Sequence, residues 1–291
     1  MLTPPRSLTC VATAVAALAG CRDASGPKLT LRYHPPAGSA YHYALEQHNT
    51  MRFEGGPMGA MPEQSLTMRM YYTQLVGSVA AAGTAVTVTF DSTALESPGM
   101  TPGAMQPALD KMRGMKSDIV YDDRMHVVSA AFSGVAGQPS PVTEQMGKNL
   151  KGMTFPLPEG PVGVGDSWTS ENEVGLGERL GTSAPIKSKT KLTVKEIRVA
   201  GADTSVLLGI ETTFPGEPIT FAQQGQGAPR RRTMRLSGNL TGEQLYSLSK
   251  SAQLHSAMGG TMRISVTGPP GQGEMKMAMT QQTSLQLTGA K

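Results

Sequence analysis

The sequence predicts a mainly β fold (α+β), arranged as an antiparallel, amphipathic meander. Apolar and polar residues alternate in many segments, and a period of two is typical of strands with one buried face. Gly-containing breaks such as VAAAGT and VAGADT separate neighbouring segments at the spacing of hairpins. The 34 glycines and 21 prolines among the 291 residues also favour strands and loops over helices.

The alternating segments follow one another from residue 41 to residue 287. In the first of them, Tyr41, Tyr43 and Leu45 are apolar, whereas His42 and Glu46 lie on the opposite face. The apolar positions of the later segments are, in order, Leu66, Met68, Met70 and Tyr72; Val86, Val88 and Phe90; Leu192 and Val194; Val206, Leu208 and Ile210; Met234 and Leu236; Met262, Ile264 and Val266; Met275, Met277 and Met279; and Leu285 and Leu287. We therefore expect a sheet with one buried and one solvated face.

Two stretches in the middle of the chain predict short helices. GAMQPALDKMRGM, residues 103–115, and SPVTEQMGKNLKGM, residues 140–153, have apolar residues at helical spacing. The second stretch has Ser140 at the N-cap position and Pro141 at the first helical position, and both residue types are favoured there.

The sequence on either side of these stretches contains a weak repeat. PPAGSAYHYALE, residues 35–46, and PVGVGDSWTSE, residues 161–171, both place a Gly-x-x-aromatic turn before a strand. We therefore expect residues 28–291 to form a β domain of two similar halves, about 28–133 and 155–291. The halves could pack as one curved sheet or as two adjacent subdomains.

The chain begins with the features of an export signal. Arg6 supplies a positive charge, and an apolar stretch follows from Leu8 to Leu18. That stretch is shorter than the roughly 20 residues that span a bilayer, and it fits the apolar region of a secretory signal. It ends in Leu18-Ala19-Gly20-Cys21, which resembles the lipobox of bacterial lipoproteins. The alternative is an ordinary secretory signal that contains a cysteine.

The lipobox resemblance implies that residues 1–20 are a lipoprotein signal peptide and that residues 21–27 form a lipidated tether. In such proteins Cys21 would become the first mature residue and receive acyl chains, and two or three chains anchor a protein stably. Arg22 follows the cysteine. An Asp at this position would resemble a signal for retention in the inner membrane, and this chain lacks it. We therefore expect a bacterial envelope protein held by Cys21, at the periplasmic face of the outer membrane.

A turn in the middle of the chain leads into a predicted strand. Gly165 permits the turn, Asp166 caps it, and Trp168 begins a strand and fills the core. The surrounding sequence FPLPEGPVGVGDSW, residues 155–168, together with Gly38-Ser39-Ala40-Tyr41 and the lipobox, resembles a family of bacterial envelope lipoproteins of undetermined function.

This family resemblance spans most of residues 28–289 and implies no enzymatic activity. At the level of the fold, the amphipathic meander is also similar to the half-barrel of periplasmic lipoprotein carriers and their receptors, which hold acyl chains. That similarity implies a concave apolar face.

Two serine motifs lack the partners that catalysis needs. Gly165-Asp166-Ser167 resembles the nucleophile block of one class of esterases, but no Asp lies three residues before His255 to orient it as a base. Ser247-x-x-Lys250 matches the acylating motif of penicillin-recognising enzymes without its Ser-Asp-Asn and Lys-Thr-Gly partners. We therefore expect no catalytic residue and no enzymatic activity.

The charged and metal-ligating residues predict neither a nucleic-acid partner nor a cofactor. The net charge is only +4, and the one dense basic cluster is Arg230–Arg232. His42, Glu46 and His48 share one strand face and could supply half of a metal site, but side chains four residues apart on a strand are about 13 Å apart. A solvated polar face is the simpler interpretation, so no metal is expected.

The 19 methionines are the least ordinary feature of the composition. Met68 and Met70, and then Met275, Met277 and Met279, place thioethers along one face of a strand. Such side chains can fill a core, line an adaptable apolar pocket or bind Cu(I). The leading hypothesis is a non-enzymatic lipoprotein that binds a lipid-like ligand or an apolar partner segment. The alternative is a structural or assembly module of the envelope without a small ligand.

Overall fold

The computed structural model describes residues 28–55, 62–98, 109–110, 112–133, 155–175, 185–201, 203–223, 230–268 and 273–291. Cys21, the predicted signal peptide (1–20) and the predicted tether (21–27) lie outside the described residues. The strands of the described residues are β1 (Ala40–Gly55), β2 (Gln64–Ala80), β3 (Gly83–Glu96), β4 (Lys116–Tyr121), β5 (Val127–Ser133), β6 (Ser167–Gly175), β7 (Pro185–Ala200), β8 (Asp203–Gln223), β9 (Arg230–Ser247), β10 (Ala252–Thr267) and β11 (Met275–Ala290).

These strands confirm the mainly β, antiparallel prediction, and they form one sheet rather than two subdomains. The strand order is β5-β4-β3-β2-β1-β11-β10-β9-β8-β7-β6. Every neighbouring pair is consecutive in sequence except β1 and β11, which pair over most of their length. The first half of the chain therefore supplies one side of the sheet and the second half the other, and the two sides meet at β1 and β11.

The two ends of the sheet differ. At one end the strands join through short turns, for example from Ala80 to Gly83 and from Ser247 to Ala252. We call this the closed end. At the opposite end, which we call the open end, longer connections join the strands, for example from Gln223 to Arg230.

Two extended segments, residues 28–36 and 155–166, pack across one face of the sheet at the closed end, and we call that face the inner face. The backbones of Leu29 and Val162 exchange hydrogen bonds of 2.8 and 2.9 Å. Leu31, Leu157 and Val162 pack with inner-face side chains in one buried cluster; the strand residues of that cluster are Val86, Val88, Ile119, Tyr121, Leu192, Val194, Val206, Leu208 and Tyr246. The closed end is therefore filled by the chain itself.

The backbones of β9 and β10 approach each other closely at two glycines of the inner face. Gly242 and Gly260 lie on the inner face, opposite Met258 and Leu240 respectively. A Cβ atom on Gly260 would collide with the carbonyl oxygen of Asn239, and one on Gly242 would collide with that of Ala257. Glycine is therefore needed where these two backbones approach each other.

The two predicted helices are not supported. Residues 140–153 lie outside the described residues, as do 103–108 and 111. Of the described residues in 103–115, Leu109 and Asp110 are helical, and a turn follows at 112–114. Gly114 has a φ of 77°, and its N–H donates to the carbonyl oxygen of Phe90 at 2.8 Å. The hydrogen bond to β3 therefore marks the point where the chain leaves the helical conformation. Among the described residues, no helix has the length and apolarity to cross a bilayer.

Candidate functional site

Cross-strand register brings three methionines side by side on the inner face. Met279 of β11 lies opposite Met51 of β1 on one side and opposite Met262 of β10 on the other. Directly opposed side chains have Cβ atoms about 4.5–5.5 Å apart. Met262 is 5% exposed, and the other two are half-buried. We use the name methionine strip for the inner-face residues Met51, Phe53, Met262, Ile264, Val266, Met275, Met277 and Met279.

The methionines singled out from the sequence occupy the inner face at two levels. Met275, Met277 and Met279 belong to the methionine strip, near the open end. Met68 and Met70 of β2 face the same side but lie opposite Gln47 and Leu45, closer to the closed end. Sequence analysis did not identify Met51 and Met262 as neighbours of Met279. Alternation assigns a residue to a face, and only the register between strands identifies its partner.

On β1 and β11, polar side chains of the inner face lie between the methionine strip and the closed end. The Gln47 side-chain amide donates to Asn49 Oδ1 at 3.2 Å on β1. On β11 the Gln281 amide donates to Thr283 Oγ1 at 3.1 Å. Each strand thus satisfies such polar groups locally. On these two strands the methionine strip is therefore set apart from the apolar residues nearer the closed end, such as Tyr43 and Leu285.

Two cavities lie among the aromatic side chains of the inner face. The larger has a volume of about 190 Å³ and is lined by Tyr72, Gln74, Val88, Phe90, Ser117, Ile119, Tyr121 and Phe132. The smaller, of about 60 Å³, shares Tyr72, Gln74 and Tyr121 and also contacts Tyr33, Tyr41 and Tyr43. Pockets for drug-sized ligands have volumes of roughly 300–1,000 Å³. The larger cavity is therefore smaller than a typical site for a drug-sized ligand. None of the five predicted methionines lines either cavity.

Burial keeps the phenols around these cavities protonated. Burial raises the pKa of Tyr121 to about 12. Burial, with a smaller effect of neighbouring tyrosines, raises the pKa of Tyr43 and Tyr72 further. The rings of Tyr43 and Tyr72 stack with centroids 5.2 Å apart, and Tyr33 packs edge-on against Tyr121 at 5.3 Å. The aromatic cluster is therefore uncharged at neutral pH.

The residues considered for a metal site lie on the outer face of the sheet. Nδ1 of His42 is 2.9 Å from Thr73 Oγ1, and Nδ1 of His48 is 2.9 Å from Thr67 Oγ1. Glu46 forms an ion pair with Arg69 at 3.1 Å. A cavity of about 400 Å³ lies beside Glu46 and His48. In the part of the chain that the structure describes, no group of three or more His, Cys, Asp or Glu side chains could hold a metal ion.

The Gly165-Asp166 turn ends the second extended segment, 155–166, and contacts the first segment, 28–36, through Lys28. Gly165 has a φ of 93°. The Asp166 carboxylate accepts a hydrogen bond from the Gly163 N–H at 2.9 Å and lies 3.2 Å from Lys28 Nζ; these interactions lower the pKa of Asp166. Trp168 donates from Nε1 to the carbonyl oxygen of Pro156 at 2.8 Å and packs against the buried cluster. Asp166 and Trp168 therefore hold segment 155–166 in place.

The Ser247-x-x-Lys250 motif lies in the turn between β9 and β10. Ser247 is fully buried, and its hydroxyl lies 2.9 and 3.0 Å from the two carboxylate oxygens of Asp203. Lys250 contributes its backbone N–H, which donates to Ser247 Oγ at 3.2 Å. Burial acts to raise the pKa of Asp203, but hydrogen bonds from Ser249 and Ser247 outweigh it and keep the pKa below its usual value. This network stabilises the turn.

Asp203→Asn is expected to lower the free energy of unfolding at pH 7 by about 1–2 kcal/mol, because Ser247 loses a charged acceptor. The native pKa of Asp203 lies below its unfolded value, so the carboxylate stabilises the fold at neutral pH and this contribution disappears as the pH falls through the native pKa. Urea unfolding at pH 7 and at pH 3 measures both effects. Equal stabilities of the two proteins at pH 7 would contradict the assignment.

Comparisons with known proteins identify no family for this chain. No protein-family model matches it, and no curated protein matches it by sequence. Among solved structures, a lipovitellin structure described as showing lipid–protein interactions aligns with a TM-score of 0.48 and 8% identity. The alignment covers 89% of this chain and 26% of the lipovitellin chain. That overlap is too weak to indicate function, which is therefore inferred from the chain's own geometry.

Proposed function

We propose that this chain is a non-enzymatic lipoprotein of the bacterial envelope, anchored through Cys21, that binds an apolar chain such as a lipid acyl group on the methionine strip. The observation that carries this proposal is the register of β1, β10 and β11. It aligns Met51, Met279 and Met262 on the same face as the core. These methionines lie outside the buried cluster at the closed end and outside a second cluster of described residues, Tyr41, Tyr43, Val76 and Ala252.

The chemistry of the strip suits an acyl chain. Methionine is unbranched and flexible, so a row of methionines can adapt to chains of different shape. Covering apolar surface contributes about 25 cal/mol per Å². Half-buried side chains such as Met277 and Met279 retain surface that a ligand can cover. The lipobox around Cys21 supports the location in the envelope.

A soluble form that begins at residue 22 is suitable for testing binding. All the described strands, and both segments that fill the closed end, lie within residues 28–291. A fluorescent fatty-acyl probe should bind this form, and unlabelled long-chain lipids should displace the probe. A folded protein that binds neither would contradict the proposal.

Met277→Glu is expected to weaken binding of the acyl probe by about tenfold or more, since a carboxylate would have to be desolvated against the chain. Thr280→Glu adds the same charge on the outer face of β11, where the side chain is exposed, and should leave probe affinity unchanged. Met277→Leu preserves the apolar surface and should retain binding. Equal losses in both glutamate variants would show that net charge, rather than the methionine strip, governs binding.

A further inference from the structure

Arg232 lies on the inner face, at the border of the methionine strip. Leu236, Met234 and Arg232 are alternate residues of β9 and therefore lie on the same, inner face. Arg232 is opposite Phe221 of β8. Met234 itself opposes Val266, which opposes Met275. Two residues along a strand span about 6.6 Å. Arg232 is therefore one inner-face position closer to the open end than the row formed by Met234, Val266 and Met275.

The described part of the chain does not neutralise Arg232. Its Nε is buried and has no hydrogen-bond partner among the described residues. No ion pair of the described residues includes Arg232. A charged N–H that is buried without an acceptor is costly in free energy. An acceptor supplied from outside the described chain would remove that cost.

Two acidic side chains near this end of the sheet form ion pairs with lysines. Glu217 of β8 pairs with Lys187 at 3.8 Å, and Glu274, just before β11, pairs with Lys276 at 3.1 Å. The connecting sequences GPMGAM, QGQGAP and PPGQ, residues 56–61, 224–229 and 269–272, contain no Asp or Glu. These residues therefore supply no carboxylate for Arg232.

We propose that Arg232 binds the anionic oxygen head group of an amphiphile whose apolar chain lies on the methionine strip. The proposal rests on the proposed function and adds the class of ligand. The planar guanidinium group presents paired N–H donors that match the oxygens of a carboxylate or phosphate. An apolar surface with a cation at its outer edge matches a single-chain lipid with an acidic head. A neutral head group would leave the buried N–H of Arg232 less well compensated.

Arg231 provides a matched control. It is the preceding residue on β9, has the same side chain, and is exposed on the outer face. Substitution of either arginine by glutamine removes one positive charge from the same end of the sheet. Only Arg232→Gln removes it from the inner face.

The test compares dodecanoate, dodecyl phosphate and dodecanol, which share chain length, by isothermal titration at pH 8 with the form beginning at residue 22. The unsubstituted protein should bind the two anions at least about tenfold more tightly than dodecanol, because Arg232 forms charge-assisted hydrogen bonds only with the anionic head groups. Arg232→Gln should reduce this preference to less than about twofold while affinity for dodecanol stays the same. Arg231→Gln should keep the preference.

Several results would overturn the assignment of the head-group site. One such result is that dodecanol binds the unsubstituted protein as tightly as the two anions do. Another is that Arg232→Gln keeps the preference for the anions. If Arg232→Gln fails to fold, Arg232→Lys replaces it as the test, because lysine keeps the positive charge but lacks the paired N–H donors of the guanidinium group. An unchanged preference for the two anions over dodecanol in this variant would contradict recognition by paired hydrogen bonds. Absence of binding for all three ligands would instead refute the proposed function.

Discussion

Gly260→Ala is expected to lower the free energy of unfolding by about 3 kcal/mol or more, which is large for the addition of one methyl group. The new Cβ would collide with the carbonyl oxygen of Asn239, a backbone atom that cannot move without separating β9 from β10. These two strands pair along nearly their whole length. The loss should therefore appear as a shift of the urea midpoint with little change in slope.

Gly259→Ala is the matched control for this substitution. Gly259 is the neighbouring residue on β10, and a Cβ there would lie 3.3 Å from its nearest atom, the carbonyl oxygen of Gln281. We expect a loss of less than about 1 kcal/mol for this variant. Similar losses for both variants would mean that the close approach of β9 and β10 does not limit stability.

Cys21→Ala is expected to abolish lipid attachment and to leave an uncleaved, mislocalised precursor. Without the thiol no thioether can form, and the anchoring by acyl chains is lost completely rather than weakened. Incorporation of labelled palmitate, together with fractionation of the envelope, measures the effect. Cys10→Ala should be processed and anchored normally. A Cys21→Ala protein that is cleaved and membrane-bound would disprove the anchor.

The alternation of apolar residues predicted much of the sheet, because burial of one face leaves a direct pattern in the sequence. Tyr43, Val88 and Leu208 were each assigned to an apolar face, and all three are buried on the inner face. The alternation of apolar and polar residues along a strand would be the same whatever the order of the strands in the sheet. The pairing of β1 with β11, which aligns Met51 with Met279, could therefore not be predicted from the pattern.

Other parts of the core carry no periodic signal at all. Leu31 is fully buried and Leu157 is 2% exposed, yet both lie in proline-containing segments that are not strands. Connecting segments usually run over the surface, so nothing in their composition predicts that they cover the inner face. The candidate head-group residue was visible only as part of a basic cluster, since the burial of Arg232 Nε depends on side chains from other strands.

The position of the first described residues has a consequence for the direction of ligand transfer. Lys28 lies at the closed end, and seven residue steps from Cys21 to Lys28 span at most about 25 Å. The 16 residues of β1 extend about 50 Å from there towards the open end. If the chain is anchored through Cys21 and binds a ligand on the methionine strip, as proposed, the bilayer would hold one end of the sheet and the ligand would enter at the other. We would then expect exchange across the aqueous gap, with a carrier or a facing membrane, rather than with the leaflet that holds the anchor.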